Sequence, residues 1–137
     1  MIAEQGFGAI IRAFSVHADE LAEEGFEDAA HGSVTWRTLI AGERDASRGL
    51  VAGIATFGPE GTLTPHRHSA PEFYFGMEGA GTVTIDGVPH PIGPGIAVYL
   101  PPDSEHGVVA AGEGLRFLYA FPVDRFADVD YRFSHCA

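Results

Sequence analysis

A chain of 137 residues is long enough to bury one hydrophobic core without staples, and it reads as one domain. Its formal charge is −11 and all eight basic residues are arginines, so no basic stripe exists to neutralise phosphates, which argues against nucleic acid as a partner. Its 18 Gly and 9 Pro favour short strands joined by tight turns, and no stretch of about 18 apolar residues supports a membrane span.

Met1 to Phe14 contains Arg12 as its one basic residue and has neither a sustained apolar run nor a small-residue cleavage site, so a cytoplasmic location is the default expectation. Ser15 to Glu27 sets polar residues around Val16, Leu21, Ala22 and Phe26, a pattern that predicts a short amphipathic helix closed by Gly25. Residues 1–31 therefore read as an appendage to a domain over 32–133, with 134–137 as a tail. Cys136, the only cysteine, lies in that tail and can form no internal disulfide.

Strand signals begin at Val34, since Val34, Trp36, Thr38 and Ile40 fall on one parity. After a polar loop at 43–48, the apolar run Leu50 to Phe57 predicts a second strand, and Thr62 to His68 a third. Glu72 to Met77 follows, then a hairpin of Thr82 to Ile85 and Val88 to Ile92 around Asp86-Gly87, a dipeptide suited to a type I′ turn. Ile96 to Leu100 ends at Pro101-Pro102, and Leu115 to Phe121 is a last apolar strand beyond Gly112-Glu113-Gly114. The fold class is all-β, a sandwich or a jelly-roll barrel, with Trp36, Phe57, Phe73, Phe75, Phe117 and Phe121 expected in the core or on a dimer face.

The chemistry concentrates in His66-Arg67-His68. Residues i and i+2 of a strand share a face, so His66 and His68 can offer two imidazoles to one ion while Arg67 points away. An H-x-H alone would arise by chance roughly 0.4 times in a chain of this composition, so it needs support. Glu72 supplies it, four residues past His68 across a proline-containing turn, and His106 is a distant fourth donor. Imidazoles with a carboxylate and no nearby Cys suit one divalent transition metal per chain, of the set Fe, Mn, Ni, Co or Zn. His17, His31, His90 and His135 have no partners at ligand spacing and read as surface or capping residues.

This pattern resembles the cupin superfamily. Gly61, His66, His68, Glu72 and Gly79 match its first motif, and Pro101 to His106 its second, with Asp103 standing where that motif has glycine. The resemblance implies a small double-stranded β-helix (a cupin-type jelly roll), often dimeric, with the metal inside the barrel. A narrower likeness, carried by G-S-V-T-W-R-T-L-I at 32–40, L-T-P-H-R-H-S-A-P-E-F-Y at 63–74 and F-P-V-D-R-F-A-D-V-D-Y at 121–131, is to the small cupin-type dimethylsulfoniopropionate lyases. It implies that His66, His68, Glu72 and His106 hold the metal, that Tyr74 is the base and that Tyr131 lines the pocket.

Parity independently sets Tyr74 on the inward face with Glu72, where a nearby dication would favour its phenolate. The expected reaction is β-elimination from a small carboxylate substrate, Tyr74 removing the α-proton while a sulfide leaves, to yield dimethyl sulfide and acrylate. Two alternatives are a metal-dependent dioxygenase of a small organic substrate and a non-catalytic small-molecule-binding module.

Overall fold

The structure is a computed structural model that describes residues 10–134. The calls on Cys136 and His135 lie outside the described residues. Nine strands form one antiparallel sheet: β1 (Glu24–Gly25), β2 (Thr35–Ile40), β3 (Val51–Phe57), β4 (Thr62–Arg67), β5 (Glu72–Ile85), β6 (Val88–Ile92), β7 (Ala97–Leu100), β8 (His106–Phe121) and β9 (Arg132–Phe133). The order β1-β2-β3-β8-β4-β9 is joined by β5, which pairs with β6, β7 and β8, so the sheet curls on itself as an all-β barrel. Val83, Leu100, Val108, Phe117 and Phe121 fill its interior. No described helix is long and apolar enough to cross a membrane.

Two strands run longer than the sequence predicts: the expected Glu72 to Met77 and Thr82 to Ile85 are one strand, and the last strand begins at His106 rather than Leu115. β5 runs through Gly76–Gly81 and β8 through Gly112–Gly114, and register shifts at Gly76/Glu78 and Gly79/Gly81 bend them where they cross. Gly79 (φ 72°) and Gly114 (φ 81°) adopt left-handed backbone there, and a Cβ on Gly79 would collide with the Gly114 carbonyl. These glycines bend the strands without ending them, because pairing continues on both sides.

The amphipathic helix over 15–27 does not form. His17 caps a 3-10 turn at Ala18–Glu20, and the chain is then extended through β1, which pairs with β2. Its polar groups are spent across that pairing: Thr35 Oγ1 donates to Glu23, Thr38 Oγ1 to Glu24, and the Arg37 guanidinium to the Leu21 carbonyl. A helix this short is marginal in water, and those cross-strand bonds outweigh it. Phe26 then packs on Trp36 at 5.0 Å and on Phe133 at 5.5 Å, which fastens the segment to the barrel rather than leaving it as a separate element.

Phe57, Phe117 and Phe121 are buried in the core, whereas Phe73 and Phe75 lie on the outer face of the barrel, 39% and 40% exposed. In β5 they alternate with Glu72, Tyr74 and Gly76, and that parity sends one set into the barrel and the other out.

Candidate metal centre and cavity

β4 and β8 bring the first two donors together by register, since His66 is the cross-strand partner of His106. His68 lies one residue beyond β4 and Glu72 opens β5. All four side chains are buried. Arg67 is turned to the surface, as parity required, and donates to the Asp103 carbonyl at 2.9 Å. Asp103 takes φ 61° and its N–H donates to the His68 carbonyl, so it fills by left-handed backbone the position where the family motif has glycine.

Each imidazole is oriented by its own backbone. The Nδ1 atoms of His66, His68 and His106 lie 2.8, 2.8 and 3.0 Å from the carbonyls of Thr64, Ala70 and Ser104. A carbonyl only accepts, so each Nδ1 carries the proton. Nε2 is thereby directed inward, the arrangement by which metal-binding histidines are held. One side-chain nitrogen from each histidine lies within 4.8 Å of the others. Glu72 Oε1 is 3.1 Å from His68 Nε2 and 3.4 Å from His106 Nε2, and His106 Nε2 is buried without a hydrogen-bond partner. Three inward nitrogens, one of them orphaned, beside a carboxylate that pairs with no arginine among the described residues are a donor set that fits a transition metal ion.

The proton affinities follow from the same packing. Burial and the neighbouring His106 lower His66 to about 3, so it is neutral and able to donate a lone pair. Burial also opposes charge on His68, yet its hydrogen bond and charge interaction with Glu72 raise it above the usual histidine value. Burial would raise Glu72, yet its interactions with His106 and His68 hold it below the usual carboxylate value. Tyr74 is raised well above the usual tyrosine value, first by burial and then by Glu72.

A cavity of about 320 Å³ adjoins this cluster, lined by Glu72, Tyr74 and Tyr131 and walled by Trp36, Tyr119 and Phe126. Tyr74 packs on Phe117 at 4.1 Å and faces His106 at 6.4 Å. The Tyr131 ring lies 5.4 Å from both His66 and His68. All six sequence-selected residues therefore converge. Sequence reasoning missed Tyr119 as a wall, although Phe117, Tyr119 and Phe121 share a parity that would have revealed it. It also missed Phe26 and Phe126 as walls: helical spacing puts Phe26 on an apolar face that does not form, and Phe126 lies in a 3-10 turn too short to show a period. Trp36, expected in the core or a dimer face, is a half-buried wall of the cavity.

Tyr131 is held by its neighbours. Asp130 accepts the Ser69 N–H at 2.7 Å and the Ser69 hydroxyl at 2.6 Å, bonds that lower its carboxyl to about 2. Arg132 pairs with Asp103 at 2.7 Å, and β9 pairs with β4 beside His66. Asp130→Ala should loosen the segment that carries Tyr131, read as faster hydrogen exchange at the Ser69 amide, which loses its acceptor. Metal content, read by elemental analysis, should be unchanged.

The family described as "Cupin domain" matches residues 53–121. The chain is 52% identical over 123 residues to the dimethylsulfoniopropionate lyase DddW of Ruegeria pomeroyi (strain ATCC 700808 / DSM 15171 / DSS-3), covering 90% of this chain and 81% of that protein. Among solved structures, the polyketide cyclase RemF from Streptomyces resistomycificus is similar at TM-score 0.77 and 25% identity, covering 92% of this chain and 88% of that one. A chain from crystal structures of the DMSP lyases RdDddP and RnDddQII is similar in fold at TM-score 0.71 and 17% identity, covering 84% of this chain and 63% of that one. With the barrel, the histidine cluster, the matching domain model and a relative at 52% identity over 90% of it, this chain belongs to the cupin family.

Proposed function

We propose that this protein is a metal-dependent carbon–sulfur lyase that cleaves dimethylsulfoniopropionate to dimethyl sulfide and acrylate. The observation that carries the reading is the 52% identity to the lyase DddW along 90% of the chain, with the histidine cluster and Tyr74 both inside the aligned barrel. In this reading His66, His68, His106 and Glu72 hold the ion. A bound divalent ion would supply Lewis-acid polarisation of the substrate carboxylate and a positive charge that favours a nearby phenolate. Tyr74, as phenolate, takes the proton from the carbon next to the carboxylate. That C–H pair becomes the C=C bond of acrylate, the Cβ–S bond breaks, and its electrons leave on sulfur as neutral dimethyl sulfide. Tyr131, packed against two of the histidines, orients the substrate. The apolar walls exclude water from the developing charge.

The test is headspace assay of metal-loaded protein with dimethylsulfoniopropionate. Sulfide release that is lost in His106→Ala supports the reading; none above buffer from protein carrying a full complement of metal sinks it.

The homodimer implied by the family resemblance is also part of the proposal. Phe73, Phe75 and Met77 of β5 and Tyr99 of β7, all exposed, form an apolar outer face that a two-fold axis could pair with itself. Phe75→Glu should shift sedimentation from dimer to monomer without loss of strand content, because the side chain lies outside the barrel.

A further inference from the structure

We propose that Asp103 is a positioning residue, whose carboxylate fastens the segment carrying Tyr131 to the loop that presents His106. The inference rests on the lyase reading only for its effect on turnover.

Asp103 stands where the second cupin motif has glycine, and the backbone there is left-handed, at φ 61°. Residues other than glycine are uncommon in that region, although aspartate is among those that tolerate it. Both backbone groups of Asp103 are engaged by the H-x-H run. Its N–H donates to the His68 carbonyl at 2.9 Å, and its carbonyl accepts from the Arg67 guanidinium at 2.9 Å. Glycine would supply both of those groups equally well. The carboxylate adds what glycine cannot, since Oδ1 accepts from the Arg132 guanidinium at 2.7 Å.

Arg132 follows Tyr131 directly and opens β9, opposite Arg67 in the ladder, with Phe133 opposite His66. β9 has only two residues, so its backbone pairing with β4 is slight and side chains must help to hold it. Before Tyr131, Asp130 accepts from Ser69; after it, the Ser134 N–H donates to the Pro65 carbonyl at 2.9 Å and its hydroxyl to Glu105 at 2.6 Å. The Asp103–Arg132 pair lies between these ties, in the stretch where the Tyr131 ring reaches 5.4 Å from His66 and from His68. An ion pair 62% and 54% exposed at its two ends is weak in general, because water screens it and two side chains must be held in one geometry. Here the Asp103 backbone is fixed at both groups and Arg132 is set by ladder register, so less freedom is lost when they meet.

The test uses metal-loaded protein and begins with Asp103→Gly, which restores the motif residue and suits the left-handed backbone. Metal content should be unchanged and Tm should stay within about 3 °C. Hydrogen exchange at the Tyr131 and Ser134 amides, which donate to the Val129 and Pro65 carbonyls, should quicken about fivefold, near the ceiling for an exposed pair. Arg132→Met should do the same from the other side. The two effects should not multiply: Arg132→Met made in the Asp103→Gly chain should add at most about 1.5-fold, the share of its longer approach to Asp130 at 3.9 Å. Asp103→Asn, which tolerates the backbone and keeps an acceptor for Arg132, should stay within about twofold of native. For sulfide release, kcat should fall about threefold in Asp103→Gly and recover in Asp103→Asn.

Native exchange in Asp103→Gly, effects that multiply in the double variant, or loss of metal from Asp103→Gly overturns the proposal. So does an unchanged kcat alongside quickened exchange, since the carboxylate would then hold the segment without positioning Tyr131 for the reaction. A native chain that releases no sulfide removes the lyase reading instead, and the exchange measurements still decide whether Asp103 holds the segment.

Discussion

Tyr74→Phe should lower kcat for sulfide release by about 10²–10⁴, the contribution of a positioned general base, with metal content unchanged. The substitution removes one oxygen from a side chain that is 1% exposed and packed on Phe117 at 4.1 Å, so the ring volume and its contacts remain. Unfolding free energy should stay within about 1 kcal/mol, because the hydroxyl lost is a buried polar group. Burial and Glu72 hold that hydroxyl well above the usual tyrosine range, so the phenolate needs a positive charge at the histidines. The loss should accordingly appear in kcat, and metal-free protein should behave like the variant. Sulfide release by Tyr74→Phe within about threefold of the native rate would assign the base to another group.

Removing the metal should lower Tm by about 12 °C. An ion present at a thousandfold excess over its Kd stabilises by about 4 kcal/mol, and a domain of this size shifts by about 3 °C per kcal/mol. Scanning calorimetry with and without chelator measures this directly. pH dependence follows from the two histidines that depart from the ordinary value. His66, lowered to about 3, binds a proton more readily in the unfolded chain, so its contribution to stability is complete above the unfolded value near 6.5 and is lost as pH falls toward 3. His68, raised by Glu72, contributes in the opposite sense: its stabilisation is present below about 6.5 and disappears as pH rises through its elevated value. An ion must displace the His68 proton, so metal affinity should fall as pH is lowered through that value. A metal affinity independent of pH from 5 to 8 would show that His68 is not a ligand.

The candidate donors were legible because strand periodicity is local. A period of two places His66, His68, Glu72 and Tyr74 on inward positions whatever the rest of the chain does, and it turns Arg67 outward. The turn at Asp86-Gly87 was legible for a similar reason: both residues take positive φ, at 47° and 81°, which that dipeptide accepts. Glycine inside β5 and β8 misled, since the same residue that ends a strand can also bend one. Ser15 to Glu27 misled because helical spacing records only apolar positions, whereas the cross-strand bonds of Glu23, Glu24 and Arg37 depend on where β2 lies.

By itself the sequence determined the all-β class and offered His66, His68, Glu72 and Tyr74 as inward candidates through spacing along an extended chain, with His106 as a distant fourth donor matched to a family motif. The tertiary structure decided the rest. Only the register between β4 and β8 sets His66 against His106, residues 40 apart in the chain, and only backbone carbonyls reached by folding turn each Nε2 inward. The cavity wall is likewise a product of closure, since Phe26, Trp36 and Phe126 come from three separate elements, the last of them some ninety residues further along the chain. Periodicity reports which side of its own strand a residue occupies; which residues meet across the barrel depends on pairing and curvature, and those are fixed by burial of the whole core.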